Sequence, residues 1–334
     1  MADPVLPDGD ACRTAAGSSA DEGAGHDAEP TPTGLSAAVL AVSLWGGGNV
    51  LVAAVPIDGL SLAFLRLWLA FAVYAAVMLA RGVRLRREQF RTVLMGGFFF
   101  GADLITFYLA LQYTSVAIAV TISALQPIGV LAAAALFFGE RVTRTHLALG
   151  TVAIVGVVMV VLGAGTDRAA SLTGNLWAIG ALICWAGYFI GSKSARRHID
   201  NNAYLVWINL IGGVMLTPVI AIVGLDADRA ISWSGLGWVA LIVAVPGSGH
   251  VIMNWAHRHT TLTATSLLTL AMPVISTALA ALFLGQSVVT VQVTGIAITL
   301  AALAAVTAYN ARQPALLRRV VGRVDPDRAL NHRT

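Results

Sequence analysis

Three ionisable side chains interrupt long apolar stretches of this 334-residue chain: Asp103, Arg66 and His250. If those stretches cross a bilayer, the charges are costly there, and charged groups at such depth commonly serve a function. A carboxylate shielded from water can exchange a proton when a cavity opens to either side. Asp103 is therefore predicted to couple to protons or to contact a substrate, and a fixed ion pair with Arg66 is the alternative.

Arg66 and His250 have their own candidate chemistry. A guanidinium binds a carboxylate through paired hydrogen bonds, so Arg66 is a candidate for an anionic substrate group; the alternatives are the ion pair and snorkelling to the membrane surface. Imidazole titrates near neutral pH and can relay protons, although a lone histidine is often only hydrogen-bonded to a neighbour. His257 lies two helical turns from His250, which is too far for chelation, and no metal site is predicted.

Ten apolar stretches must position these side chains. The chain is 57% hydrophobic and 11% charged, whereas soluble domains carry about 25% charged residues. A bilayer core takes about 20 apolar residues per helix. The sequence therefore predicts an all-α integral membrane protein with ten transmembrane helices, at Leu35–Val55, Leu60–Ala80, Thr92–Leu111, Val116–Phe138, Leu147–Ala164, Leu176–Ser192, Tyr204–Val223, Leu236–Ala256, Thr263–Leu284 and Val291–Tyr309.

An internal duplication relates the two halves of the chain. The segment from Ser123 to Glu140, SALQPIGVLAAAALFFGE, recurs without a gap from Thr269 to Gln286 as TLAMPVISTALAALFLGQ. A fixed offset over such a length marks a repeat. Five helices per half is an odd number, so the second copy enters the membrane from the opposite face and the repeats are predicted to be inverted. The repeats are placed at residues 34–165 and 174–310.

The distribution of charged residues among the loops predicts the orientation of the chain in the membrane. With the amino terminus in the cytoplasm, the outer loops carry only Arg168 and Arg229, which agrees with the positive-inside rule. The inner loops then carry Arg81, Arg84, Arg86, Arg87, Arg91, Arg141, Arg144, Lys193, Arg196, Arg197 and Arg258. Both termini are predicted to be cytoplasmic, and this pattern explains the net charge of +4 without a nucleic-acid partner.

The two tails are polar. Residues 1–33 are rich in Asp, Glu, Gly, Pro and Ala, which predicts a disordered cytoplasmic tail without a cleaved signal peptide. Residues 311–334 are predicted to form a basic cytoplasmic tail. Neither tail is long enough for a sizeable soluble domain.

Aromatic and amide side chains are candidate walls of a substrate cavity. Trp45 and Trp185 lie at comparable depth in the first helix of each half, and Tyr188 lies near them. They could line a cavity, or simply pack between helices. Asn49 and Gln126 could offer polar contacts to a substrate.

Three prolines are candidate hinges. Pro127, Pro273 and Pro246 each lack a backbone N–H and lie within predicted membrane helices. Backbone freed in this way is tolerated at membrane depth where it lines a cavity or meets a neighbour. Each proline could equally be no more than a kink.

Several of these features together resemble a known family. The Trp45-Gly46 pair, Arg66 in the second helix and the pattern P-x11-G-E from Pro127 to Glu140 resemble the drug/metabolite transporter superfamily, in its EamA-type branch. The resemblance covers Leu35 to Ala308. It implies a ten-helix carrier that moves amino acids, metabolites or drugs across the inner membrane, in many cases outward.

One position departs from the family pattern. Gln286 stands where the second repeat would carry an acid that matches Glu140. Glu140 itself is expected to form a surface pair with Arg141 or Arg144, which contributes little stability.

The leading functional hypothesis is a secondary transporter, an exporter of small metabolites, amino acids or drugs, that works by alternating access. No G-x-x-x-x-G-K-[ST] loop occurs, so the energy source is the substrate gradient, an exchange partner or protons. No cofactor is expected. A membrane-embedded enzyme or a partner subunit without transport activity is the alternative, and a monomer and a homodimer both remain open.

Overall fold

The computed structural model describes residues 31–83, 85–114, 119, 122–163, 171–285 and 287–324. These residues form twelve helices: α1 Pro32–Ala54, α2 Gly59–Ala80, α3 Arg87–Tyr113, α4 Gln126–Phe138, α5 Arg144–Gly163, α6 Leu172–Ala195, α7 Asn201–Val223, α8 Ala227–Ala230, α9 Trp233–Ala256, α10 Leu262–Leu268, α11 Ala271–Leu284 and α12 Thr290–Val324. The predicted amino-terminal tail lies outside the described residues up to position 30.

The predicted ten spans correspond to these helices. Within the described ranges, nine stretches are long and apolar enough to cross a bilayer, with α10 and the following helix α11 counted as one. The tenth, α4, is a shorter apolar helix, and six residues of the segment before it (115–118, 120 and 121) are not described. The prediction of an all-α membrane protein is confirmed.

Polar caps define where the helices begin. Six helices start directly after a Ser, Thr or Asp whose side chain accepts a hydrogen bond from a backbone N–H in the first turn. These caps are Thr31, Asp58, Ser171, Asp200, Ser232 and Thr261. Short loops that end in such caps explain how long apolar segments are divided at defined positions.

The two halves interlock in an inverted arrangement. The first helix of each half packs against the third helix of the other half: α1 against α9, and α6 against α3. The second helices, α2 and α7, pack against each other, as do the fifth helices, α5 and α12. Each half therefore contacts the other through equivalent helices. Because each half has five spans, the second half runs in the opposite direction through the membrane. Together these features confirm two inverted five-helix repeats.

A matching pair of hydrogen bonds marks the same symmetry. The Thr31 hydroxyl donates to the carbonyl oxygen of His259 at 2.9 Å, and the Ser171 hydroxyl donates to that of Tyr113 at 2.5 Å. The first bond joins the start of α1 to the end of α9, and the second joins the start of α6 to the end of α3. Because the chain reverses with each span, the two bonds lie at opposite ends of the bundle.

Basic residues collect at the end of the bundle where α1 begins, which we call the basic end. The starts of α3, α5 and α7 lie there, with Arg87, Arg144 and Arg197 at or near them. At the opposite end, Arg229 lies 3.7 Å from Asp226. This distribution of basic residues agrees with the predicted orientation of the chain in the membrane. The cytoplasmic position of the basic end stays a prediction.

The ninth predicted span is not one continuous helix. α10 ends at Leu268, and a turn at Thr269 and Leu270 separates it from α11. In the first repeat, a turn at Ala124 and Leu125 likewise precedes α4. Buried hydroxyls in α10 and its end, such as those of Thr265 and Thr269, bond to backbone carbonyls three or four residues earlier, and such bonds compete with regular helix geometry.

The candidate hinge prolines occupy two kinds of position. Pro127 and Pro273 lie in the first turns of α4 and α11, where a missing N–H removes no helical hydrogen bond. Pro246 lies inside α9, against α1 at Gly48. Both α4 and α11 end at a glycine with φ +65°, Gly139 and Gly285, so the two halves share this cap as well.

The last helix is longer than predicted. The prediction ended it at Tyr309, whereas α12 runs to Val324. Its apolar span ends at Asn310, and the remainder is rich in Ala, Leu, Val and Arg. The same stretch contains Pro314 and Gly322, which have low helix propensity, so propensity does not account for the extension.

The helices α5 and α12 are in close backbone contact. A Cβ atom on Gly156 would lie 2.7 Å from the carbonyl oxygen of Gly295, and a Cβ atom on Gly295 would lie 2.5 Å from that of Gly156. Small residues allow such close approach of membrane helices. The fifth helices of the two halves therefore meet backbone to backbone at this point.

We expect Gly156→Val to separate α5 from α12 and to lower thermal stability in detergent. The matched control is Gly129→Val in α4, because a Cβ atom at Gly129 would have nothing within 4 Å. Both variants add the same side chain to a glycine in an apolar helix. Equal unfolding temperatures for the two variants would contradict the packing described here.

Candidate functional site

A small cavity lies between α2 and α3 of the first half and α7 and α9 of the second. Its volume is about 20 Å³, which is room for about one water molecule. The polar part of its wall consists of Arg66, Tyr74, Asn209 and His250, and the apolar part includes Phe100. Two predicted site residues, Arg66 and His250, therefore come together across the interface between the inverted halves.

Arg66 has no partner for its charge among the residues that the structure describes. The side chain is half-buried, and it makes no hydrogen bond or ion pair with any residue that the structure describes. Asp103 lies within electrostatic reach but not within the 4 Å of an ion pair. The fixed Asp103–Arg66 pair considered from the sequence is not formed here.

Asp103 also lacks a side-chain partner within the described part of the chain. It lies in α3 and is half-buried, and its carboxylate accepts no hydrogen bond from the described residues. Only its backbone carbonyl oxygen accepts a hydrogen bond, which the Thr106 hydroxyl donates at 3.1 Å. Cys184 of α6 is within electrostatic reach of the carboxylate. Two ionisable side chains at membrane depth therefore lie near each other, and neither has a side-chain partner among the described residues.

Aromatic rings surround His250. Its ring centroid lies 4.9 Å from that of Trp45, 5.2 Å from Phe100 and 5.9 Å from Tyr188. Trp45 and Trp185 contact each other edge to face at 5.4 Å. The predicted residues Trp45, Trp185, Tyr188 and His250 thus form one cluster, which we call the aromatic cluster.

Within this cluster, Trp45 and Tyr188 pack in the interior rather than line the cavity. They are 4% and 0% exposed. The Trp45 indole lies against Gly249, where a Cβ atom would come within 2.7 Å of the indole nitrogen. In this conformation the arrangement corresponds to the packing alternative, and only His250 of the four lines the cavity.

A buried chain of polar groups leads from His250 to the basic end. The Tyr188 hydroxyl and His250 Nδ1 are 3.2 Å apart, and the Asn254 amide donates to the same hydroxyl at 3.3 Å. Ser192 bonds to the Asn254 side-chain oxygen and lies 2.9 Å from His257 Nδ1. His250 is therefore held through Nδ1, and its Nε2 has no hydrogen-bond partner among the described residues.

Glu140 is not the surface residue that the sequence suggested. Its carboxylate oxygens accept hydrogen bonds from the backbone N–H groups of Leu262 at 2.6 Å and Thr263 at 2.9 Å. The Lys193 ammonium lies 3.9 Å away and donates to the Thr260 carbonyl oxygen at 2.7 Å. Both charged side chains are 3% exposed.

The expected pairing of Glu140 with Arg141 or Arg144 is therefore wrong. These arginines are close in sequence, but the chain turns at Gly139 and directs the carboxylate into the bundle. There it satisfies N–H groups at the start of α10, which have no partner within their own helix. A carboxylate is also favoured at a helix start by the helix dipole. Gln286, the counterpart in the second half, lies outside the described residues.

Two other candidates lie away from the cavity. Gln126 is buried between the broken fourth and ninth spans, and its side-chain oxygen accepts from the Thr269 hydroxyl at 3.3 Å. Asn49 is exposed and donates to the Ser276 hydroxyl at 3.2 Å. Neither side chain lines the cavity in this conformation.

Two polar residues of the cavity wall, Tyr74 and Asn209, were not predicted from the sequence. Tyr74 lies two helical turns after Arg66 in α2, and Ala70 lies one turn after it. This spacing places all three on one helix face and could have indicated Tyr74. Asn209 is a lone amide in the apolar run of α7, and that is the signal that could have indicated it.

We expect Glu140→Ala to lower the free energy of unfolding by about 3 kcal/mol, because it leaves a buried ammonium and two buried N–H groups with fewer partners. Glu88→Ala is the matched control, since Glu88 is exposed in the first turn of α3. The measurement is thermal unfolding of the purified proteins in the same detergent. Equal destabilisation by the two substitutions would contradict the structural role of Glu140.

Comparison with known proteins agrees with this architecture. The chain matches the EamA-like transporter family twice, over residues 32–162 and 172–308. It is 28% identical to the threonine/homoserine exporter RhtA of Escherichia coli strain K12 over 278 residues, which cover 79% of this chain and 87% of the relative. It is also 28% identical to RhtA of Salmonella typhimurium strain LT2 over 262 residues, with coverage of 75% and 82%.

A solved structure shares the fold. It is a crystal structure of another protein that superposes with a TM-score of 0.72 at 21% identity and covers 84% of this chain and 98% of its own. The two family matches fall on the two inverted halves, one on each, and together they include every helix that borders the cavity. The chain is a member of the EamA-like transporter family.

Proposed function

We propose that this protein is a secondary transporter that exports small metabolites, amino acids among them, by alternating access across the cytoplasmic membrane. The observation that carries the proposal is the position of the cavity. Its walls come from α2 and α3 of one inverted half and from α7 and α9 of the other. In transporters built from inverted repeats, the substrate site lies between the repeats near the middle of the membrane.

The packing supports a rocking motion between the halves. The cavity helices belong to pairs that cross the interface, α2 with α7 and α3 with α6. A relative movement of the halves would change these contacts and could open the cavity to one membrane face at a time. Because the cavity is smaller than any amino acid, it has to widen before a substrate can bind there.

The names of similar proteins suggest the substrate class and the direction of transport. RhtA is named an exporter of threonine and homoserine, both small polar amino acids. The cavity wall of this chain combines a cation, an amide, a phenol and an imidazole, which suit a small polar solute. The same relatives favour a transporter over an enzyme.

The energy source has three candidates: the gradient of the substrate, exchange for another solute, and protons. Asp103 is the candidate for proton coupling, because it is an acid at membrane depth without a hydrogen-bond partner among the described residues. Imposed gradients can separate these possibilities.

We expect purified protein in liposomes to catalyse counterflow, in which unlabelled L-threonine inside drives uptake of labelled L-threonine. Further liposomes would test labelled homoserine, other amino acids, organic acids and cationic dyes. The position of the site predicts saturable, concentrative exchange of at least one small solute. Liposomes without protein and liposomes with the unstable Gly156→Val variant are the controls.

An inward or outward pH gradient then tests coupling. If protons drive transport, the gradient raises the initial rate for the wild type and for Asp228→Asn, whose residue is exposed at the end of the bundle. It has no effect on Asp103→Asn. Lack of exchange for every solute class would contradict the proposed function.

A further inference from the structure

Two ionisable side chains within the membrane spans, Arg66 and Asp103, lack a side-chain partner among the described residues. Arg66 lines the cavity and Asp103 lies within its electrostatic reach, yet the structure forms no hydrogen bond from the guanidinium or to the carboxylate among the described residues. A charge without a partner is costly at membrane depth. Elsewhere in the same protein the buried charge of Glu140 is satisfied by two N–H groups and an ammonium.

Packing holds the two charges apart. Arg66 is on α2, which packs mainly against α7, and Asp103 is on α3, which packs mainly against α6. At α3, Gly97 and Gly101 allow Ile211 and Met215 of α7 to come close, so the backbone of α3 is fixed near Asp103. The two side chains are therefore carried by helices whose main contacts are with different helices of the second half.

We propose, on the basis of the transport function above, that Arg66 and Asp103 form a divided site for a zwitterionic amino acid. Arg66 binds the carboxylate of the ligand, and Asp103 binds its ammonium group. An α-amino acid carries these opposite charges on one carbon atom, so a single ligand satisfies both side chains. A ligand with one charge satisfies one side chain and leaves the other exposed to an apolar surrounding, which disfavours its binding.

The remaining polar wall suits the side chain of such a ligand. The Asn209 amide nitrogen donates to the Leu205 carbonyl oxygen at 2.8 Å, which leaves the amide oxygen as an acceptor. His250 is held by Tyr188 through Nδ1, which leaves Nε2. These two groups can bond to a hydroxyl on the ligand, whereas Phe100 and Ile208 would contact its carbon atoms.

The first test needs no substitution. Uptake of labelled L-threonine into proteoliposomes is measured against increasing concentrations of L-homoserine, L-threonine amide and N-acetyl-L-threonine. The amide lacks the carboxylate charge and the N-acetyl compound lacks the ammonium. The divided site predicts that homoserine competes as unlabelled threonine does, and that each single-charge analogue competes at least about tenfold less well.

The second test assigns each charge to its residue. Arg66→Gln is expected to raise the half-saturating concentration of L-threonine about tenfold or more and to remove the discrimination against threonine amide. Asp103→Asn is expected to raise the half-saturating concentration of L-threonine by a similar factor and to remove the discrimination against N-acetyl-threonine. The matched controls Arg91→Gln and Asp228→Asn, both at exposed positions, keep wild-type values.

The outcomes separate the site from the function. Threonine uptake in which both single-charge analogues compete as well as homoserine overturns the divided site and leaves the transport function intact. The divided site is also overturned, and the transport function left intact, if Arg66→Gln and Asp103→Asn each change the affinity for L-threonine less than twofold. Exchange of dyes or organic acids without any amino acid overturns the amino-acid assignment together with the site, and absence of all exchange overturns the transport function. If a variant fails to fold, the competition on the wild type decides.

Discussion

A charge inside a membrane protein has to be satisfied by the protein or by what the protein binds, because lipid offers it no partner. Glu140 illustrates the first solution. It contributes its carboxylate to two N–H groups at the start of α10 and to Lys193, and it thereby joins three separate segments at the basic end. We propose that a bound ligand provides the second solution for Arg66 and Asp103, whose helices are held by different partners across the interface.

The duplication has preserved the backbone plan and changed the chemistry at the two ends. The capping bonds of Thr31 and Ser171 correspond to each other, as do the glycine caps of α4 and α11. When Trp45 is aligned with Trp185, however, the buried Ser192 and Lys193 correspond to Val52 and Ala53. The buried polar contacts of these two residues at the basic end therefore have no equivalent side chains at the other end, so opening the two ends involves different interactions.

Much of the fold could be predicted because membrane spans are long and the two repeats are similar in sequence. The division of the ninth span could not be predicted from hydropathy, since Thr269 and Leu270 are acceptable in a membrane helix and only the local hydroxyl contacts favour a turn. The role of Glu140 could not be predicted from its sequence neighbours Arg141 and Arg144, because the groups that contact its carboxylate are distant in sequence. Its true partners are contributed by the other half of the chain.

The candidate site was predicted in part. The cost of charge in a membrane identified Arg66 and His250, both of which line the cavity. Depth alone could not show that Trp45 packs in the interior or that Asn49 points to Ser276, because depth does not specify which way a helix face is turned. Tyr74 was missed although its spacing from Arg66 places it on the same face.

The central claim is that the cavity between the inverted halves opens to the two membrane faces in turn. Val243 lines the cavity, so Val243→Cys in a Cys12→Ser, Cys184→Ser background places a single thiol there. A membrane-impermeant maleimide would be applied to right-side-out and to inside-out vesicles, with Arg91→Cys as a control that reacts from one side only. The account predicts that Val243→Cys reacts from each side and that L-threonine changes both rates. Reaction from one side only, or from neither side under any condition, would contradict alternating access at this site.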